Sequence, residues 1–141
     1  MKRLIPFLLF ILSIFRTSAQ SNNESEIRKI LDKQTKTWNL GNIDEFMTTY
    51  WESDSLEFIG PDGITRGYTN TLNRYKKKYT DTVKMGKLFF TIISIKNLSP
   101  EYYFVVGKWH LRRTIGDVGG MFTLLFKKIN SKWVIITDHS S

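Results

Sequence analysis

Between Lys87 and His139 the chain carries four long runs rich in aromatic and β-branched residues: Lys87 to Leu98, Tyr102 to Thr114, Met121 to Ile129 and Trp133 to His139. Ser99-Pro100-Glu101, the Gly116 to Gly120 segment and Asn130-Ser131 separate them with residues that tight turns prefer, so the runs read as strands joined by hairpins. Strands this long in a small domain cannot lie flat, because one whole apolar face would stay wet. A strongly bent antiparallel sheet with helices over its concave side meets that constraint, which makes the fold class α+β.

The preceding residues supply three helices. From Glu24 to Leu40 the apolar residues Ile27, Ile30, Leu31 and Trp38 recur at helical spacing, with Ser21/Glu24 or Asn23/Glu26 available as a starting capping box and Gly41 as the left-handed stop. Asn42 with Glu45 starts a second helix through Ile43, Phe46, Met47 and Tyr50 to about Trp51. Leu56 to Ile59 then reads as a short strand that turns at Pro61-Asp62-Gly63 and pairs back along Ile64 to Arg66. Tyr68, Leu72, Tyr75 and Tyr79 share one face of a third helix whose lysines point outward.

The chain begins with Lys2 and Arg3, an apolar run from Leu4 to Phe15, and the small residues Thr17-Ser18-Ala19. This is the pattern of a signal peptide over residues 1–19, cleaved after Ala19, followed by a short polar linker at 20–23 and one domain over 24–141. The run is shorter than the roughly 20 apolar residues that cross a bilayer. An exported protein, periplasmic or secreted, with no membrane association after cleavage, is expected. With Lys2, Arg3 and Arg16 in the leader, 18 basic residues face 13 acidic ones in the rest. That excess is small, and only Lys76, Lys77 and Lys78 form a run, so nucleic acid is not an expected partner. The absence of cysteine excludes disulfides, thiolate nucleophiles and thiolate metal sites. Two histidines without ligand spacing argue against a metal, and no cofactor is implied; the glycine-rich 116–120 segment joins two strands, so it is no phosphate cradle.

Trp38-Asn39-Leu40-Gly41-Asn42-Ile43-Asp44, Tyr50-Trp51 and the closing Trp133-Val134-Ile135-Ile136-Thr137-Asp138-His139-Ser140-Ser141 resemble the helix junction and final strand of the nuclear-transport-factor-2-like, or SnoaL-like, superfamily, in an uncharacterised ketosteroid-isomerase-like branch. The resemblance spans roughly Glu24 to Ser141 and implies a cone-shaped roll, three N-terminal helices packed on the bent sheet, whose interior is commonly a pocket. Trp38, Tyr50, Trp51, Phe58, Tyr68, Tyr75 and Trp109 are the expected ligand-binding wall. Aromatics at these spacings are core packing more often than ligand contacts, but so many Tyr and Trp tips need polar partners and suit a cavity better than a dry core.

The resemblance also implies chemistry that the residues test. The tyrosine of ketosteroid isomerases would fall near Gln34 and their carboxylate base near Ile59 or Gly60, which cannot accept a proton, so that form of isomerase is disfavoured. An epoxide-hydrolase-like Asp-Arg-Asp set would draw on Asp54, Arg112 and Asp138, without supporting local spacing. His139, beside Asp138, is the leading polar candidate for catalysis or ligand orientation, because an imidazole exchanges protons near neutral pH. Neighbours on a strand face opposite ways, so only one of the two enters the pocket; an inward His139 would share its face with Trp133, Ile135 and Thr137. His110 lies among Lys108 and Arg112, on the wetter side of its strand.

Three functions follow as expectations. The first is binding of a small, partly apolar ligand without demonstrated turnover. The second is an isomerase- or hydrolase-like enzyme using His139 or Asp138, and the third a homodimeric assembly module, which the resemblance implies because such proteins commonly dimerise through the outer sheet face; apolar residues of both parities on Lys87 to Leu98 and Met121 to Ile129 agree with a sheet covered on two sides.

Overall fold

The computed structural model describes residues 6–141, with side chains from Asn22 onward. Lys2, Arg3 and the side chains at the expected cleavage site, Thr17-Ser18-Ala19, lie outside the described residues. The elements are α1 (Pro6–Asn39), α2 (Ile43–Met47), β1 (Glu57–Gly60), β2 (Gly63–Arg66), α3 (Tyr68–Lys78), α4 (Thr82–Met85), β3 (Lys87–Ser99), β4 (Tyr102–Arg112), β5 (Val118–Ile129) and β6 (Lys132–Ser140).

The first helix is longer at its start than the periodicity predicts. The backbone of the 20–23 stretch, expected as a linker, is continuous with α1, so no capping box forms there. Glu24 and Glu26 instead pair with Arg28 and Lys29 one turn on, at 2.8 and 2.7 Å. Ile27, Leu31, Gln34 and Trp38 form the buried stripe. α1 ends in a Schellman motif: the Asn42 N–H donates to the Thr37 carbonyl and the Gly41 N–H to that of Trp38, with Gly41 left-handed at φ 77°.

Asn42 then caps α2, its side chain accepting the Glu45 N–H at 2.9 Å. The Glu45 carboxylate does not reach back; it pairs with Lys33 of α1 at 2.6 Å, fastening the two helices. α2 stops at Met47, short of the expected Trp51, because the next residues are claimed by the sheet. Ile135 donates to the Thr49 carbonyl, and the Trp51 N–H donates to that of Ile135.

The sheet order is β2-β1-β6-β5-β4-β3. Both hairpin sets are antiparallel as the sequence predicts, and a parallel pairing of β1 with β6 (Phe58 opposite Asp138) joins them. Bulges at Ile93, Leu98 and Ile136 interrupt the ladders and raise local twist, which bends the long strands. Gly119 and Gly120 belong to β5, not to the turn: a Cβ on Gly120 would overlap the Ser141 carbonyl that lies across it. A further short helix, α4, is capped by Asp81, whose carboxylate accepts the Lys84 N–H at 2.8 Å.

α1 locks onto the sheet by two contacts from its last turn. Asn39 imitates a strand, donating to the Leu88 carbonyl and accepting the Leu88 N–H at 2.7 Å, while the Trp38 indole donates to the Met85 carbonyl at 3.1 Å. The helices cover the concave face, where Val105, Leu111, Phe122, Leu124 and Phe126 are buried.

Candidate functional site

The bent sheet and its helices do not close completely. Between them lies a cavity of about 540 Å³, within the range of roughly 300–1,000 Å³ that small-molecule sites occupy. α1 contributes Gln34 and Trp38, α2 and the following turn Phe46 and Tyr50, β1 Phe58, and α3 Tyr75 with its capping residue Tyr79. Leu88, Phe90, Trp109, Leu111, Phe122 and Leu124 form the sheet wall. Phe46, Phe58, Tyr75 and Trp38 meet edge to face with centroids 5.1 to 6.0 Å apart, so this wall, drawn from the helices and β1, is a fixed aromatic array.

The floor is polar at one point. Asp138 is buried at 4% exposure, and its carboxylate accepts the Tyr50 hydroxyl at 2.6 Å and the Ser140 hydroxyl at 2.8 Å. The Tyr75 hydroxyl lies near that of Tyr50, and each perturbs the other. Burial pushes the Asp138 pKa up from 3.8 to about 6, against the opposing pull of Tyr50, Ser140 and the His139 charge. Burial also holds both tyrosine hydroxyls well above their ordinary value, with Asp138 adding to the effect, so they remain donors.

Why Asp138 and not His139 enters the cavity is a matter of one residue. Opposite Leu125 and Phe126, β6 presents Thr137 and Ile135, leaving Ile136 as an extra residue. The bulge exchanges the two faces: Trp133 and Ile135 are buried before it, Asp138 after it. His139 is exposed on the outer face, opposite Thr123. An unbroken strand would have turned it inward with Trp133 and Ile135, so His139 is corrected from a cavity residue to an outer-face one.

Of the other expected wall residues, Trp38, Tyr50, Phe58, Tyr75 and Trp109 line the cavity, and Trp51 and Tyr68 do not. Trp51 follows the residue bridged to Ile135 and lies half-buried outside. Tyr68 opens α3, where burial raises its hydroxyl pKa and the charges of Glu52, Asp44 and Glu45 add to it. The Asp-Arg-Asp set is not assembled: Asp54 is exposed, and Arg112 stacks over Phe89 at 5.0 Å on the outer face. Gln34 reaches the cavity with its amide donating to Thr49 at 3.0 Å. His110 is exposed and bonded to Asp117 at 2.9 Å.

Four cavity residues that chemistry would notice were not expected there from the sequence: Arg74, Lys78, Lys84 and Arg113. No local pattern unites them, since they come from α3, α4 and the β4–β5 turn. Phe90, Phe122 and Leu124 were legible as inward by strand alternation with Trp109, once the pairing Phe90–Trp109 is known.

Comparison with solved structures decides the family. An NTF-2 like protein of unknown function from Shewanella oneidensis MR-1 shares 41% identity over 84% of this chain and 98% of its own, with a TM-score of 0.81. The chain belongs to the NTF2-like family. An NTF2-like superfamily protein from Salmonella enterica serovar Typhimurium (18% identity, 86% of this chain and 92% of that one, TM-score 0.67) shares the fold. So does a cystatin-like domain from Nostoc punctiforme (16%, 84% and 75%, TM-score 0.70). No family model matches the sequence, and neither does any curated protein. This NTF2-like domain therefore takes its functional reading from its own cavity.

Proposed function

We propose that the protein binds a small, partly apolar molecule in the cone cavity, with aromatic side chains enclosing its body and the Asp138–Tyr50 pair meeting one polar group at the floor. The observation that carries this is the cavity itself: about 540 Å³ of aromatic-walled space ending on a buried, hydrogen-bonded carboxyl. A thermal-shift screen of metabolite-sized compounds tests it. A saturable shift that folded Trp109→Ala loses supports binding; no saturable shift with any compound contradicts it.

Asp138 favours a second reading, proton transfer on the bound molecule. A carboxyl with a pKa near 6 holds substantial populations of acid and base at neutral pH. Asp138→Asn that binds but no longer turns over a screened compound is the expected result, and unchanged turnover contradicts it. On either reading residues 1–19 serve as a cleaved leader, and a mature N-terminus at Gln20 by mass spectrometry tests export to the periplasm or beyond.

A homodimer through the outer sheet face completes the proposal. Phe89, Ile93 and Met121 are 46, 53 and 40% exposed there, beside half-buried Phe104, Val106 and Leu125. Sedimentation of wild type as a dimer and of Met121→Lys as a monomer is expected; a monomeric wild type contradicts it.

A further inference from the structure

The cavity has two chemically different ends. Its deep residues, Trp38, Phe46, Tyr50, Leu111, Phe122, Leu124 and Asp138, are buried, whereas Lys78, Lys84, Ile115 and Val118 are exposed lining residues and therefore form the mouth. Four cationic side chains line this cavity, Arg74, Lys78, Lys84 and Arg113, against one side-chain carboxyl, that of Asp138, which sits at the floor and is partly protonated near neutral pH.

Three elements deliver these cations, so the cluster is more than the last turn of one helix. Lys78 does suit the C-terminal end of α3, but Lys84 comes from α4 and Arg113 from the β4–β5 turn. Lys78, Arg113 and Arg74 gather around Tyr79. The Lys78 ammonium lies 5.5 Å from the Tyr79 ring centroid, and the Arg113 and Arg74 charges both act on its hydroxyl, opposing the upward push of burial. Arg113 also donates to the Lys84 backbone carbonyl at 3.4 Å, which ties the β4–β5 turn to α4 at the mouth.

The nearby carboxylates are already engaged. Asp62 is ion-paired with Arg74, Asp81 caps α4, and Asp117 accepts the Arg113 N–H and bonds His110. Lys78 is close enough for its charge to reach Asp62, yet among the described residues Lys78, Lys84 and Arg113 form no ion pair. None of the three carboxylates lines the cavity.

The geometry points to an amphiphilic organic acid as the ligand, its apolar body held by the aromatic wall and its anionic group at the mouth among Lys78, Lys84 and Arg113. This rests on the ligand-binding reading above and specifies its chemical class. Exposed ammonium groups attract an anion in a salt-dependent way, whereas apolar burial is much less affected by salt.

The test is isothermal titration with matched probes on three apolar bodies (decyl, biphenyl and naphthyl), each as carboxylate, methyl ester and primary amine. For at least one body the carboxylate is expected to bind about tenfold or more tightly than the ester at low salt, a difference of ~1.4 kcal/mol. The preference shrinks at high salt. The double variant Lys78→Gln, Lys84→Gln abolishes it while ester affinity is retained, which separates a charge effect from misfolding. Equal binding of acid and ester, tighter binding of the amine, or a preference unchanged in the double variant overturns the inference and leaves the pocket reading standing. No binding by any probe overturns both.

Discussion

The Tyr50 hydroxyl donates a 2.6 Å hydrogen bond to Oδ2 of Asp138, joining the turn after α2 to the last strand across 88 positions of sequence. Charge-assisted bonds of this length are among the stronger ones, and this one fixes the floor of the cavity.

Asp138 makes stability depend on pH in a definite direction. Its folded-state pKa is raised to about 6, whereas an unfolded aspartate titrates at about 4. Folding therefore favours the protonated carboxyl: its contribution is fully present below pH ~4, declines as pH rises, and is lost through pH ~6, a change of about 3 kcal/mol at most. Asp138→Asn removes the titration. Urea unfolding from pH 4 to 8 is expected to show a fall in wild type that is absent from the variant; parallel profiles would contradict this.

Tyr50→Phe deletes the donor and leaves Ser140 as partner. Since the Tyr50 bond lowers the Asp138 pKa, its loss moves the titration midpoint upward. The destabilisation is larger above the midpoint, about 1.5–3 kcal/mol for a bond to a charged group, than below it. NMR titration of the Asp138 carboxyl carbon measures the midpoint, and a downward shift would refute the assignment.

Gly107 sits in the middle of β4, buried beneath Phe122, where a Cβ would lie 2.5 Å from the Phe122 ring and 2.9 Å from the Thr91 carbonyl. Gly107→Ala is expected to cost about 1–3 kcal/mol as Phe122 is displaced. Thermal unfolding reads the cost; an unchanged midpoint would show that the ring moves freely.

His139→Ala is expected to change stability by no more than about 0.5 kcal/mol and to leave cavity binding unchanged, because the imidazole is exposed on the outer face. Trp38→Ala, at 3% exposure with its indole bonded to Met85, is expected to cost about 3–5 kcal/mol. Measuring both by urea unfolding separates the two faces of the cone.

Much of the architecture was legible because its signals are local. The Gly41-Asn42 junction, the Pro61-Asp62-Gly63 turn and the strand runs each carry their own chemistry, and the family match agrees with the resemblance they convey. Asp138 and not the favoured His139 enters the cavity because an unpaired Ile136 inverts strand alternation, and a bulge depends on pairing with Leu125 and Phe126 that no local pattern records. Trp51 was lost from the wall for a similar reason: pairing with Ile135 ends α2 early. The cationic mouth assembles residues from separate elements, so only the folded chain reveals it.

The most direct test of cavity binding is site-resolved NMR. The chain has four tryptophans; Trp38 and Trp109 line the cavity, and Trp51 and Trp133 do not. Titrating a compound identified by thermal shift into ¹⁵N-labelled protein is predicted to shift the indole N–H signals of Trp38 and Trp109 saturably while those of Trp51 and Trp133 stay in place. Saturable shifts confined to Trp51 or Trp133 would place binding elsewhere and contradict a functional cavity.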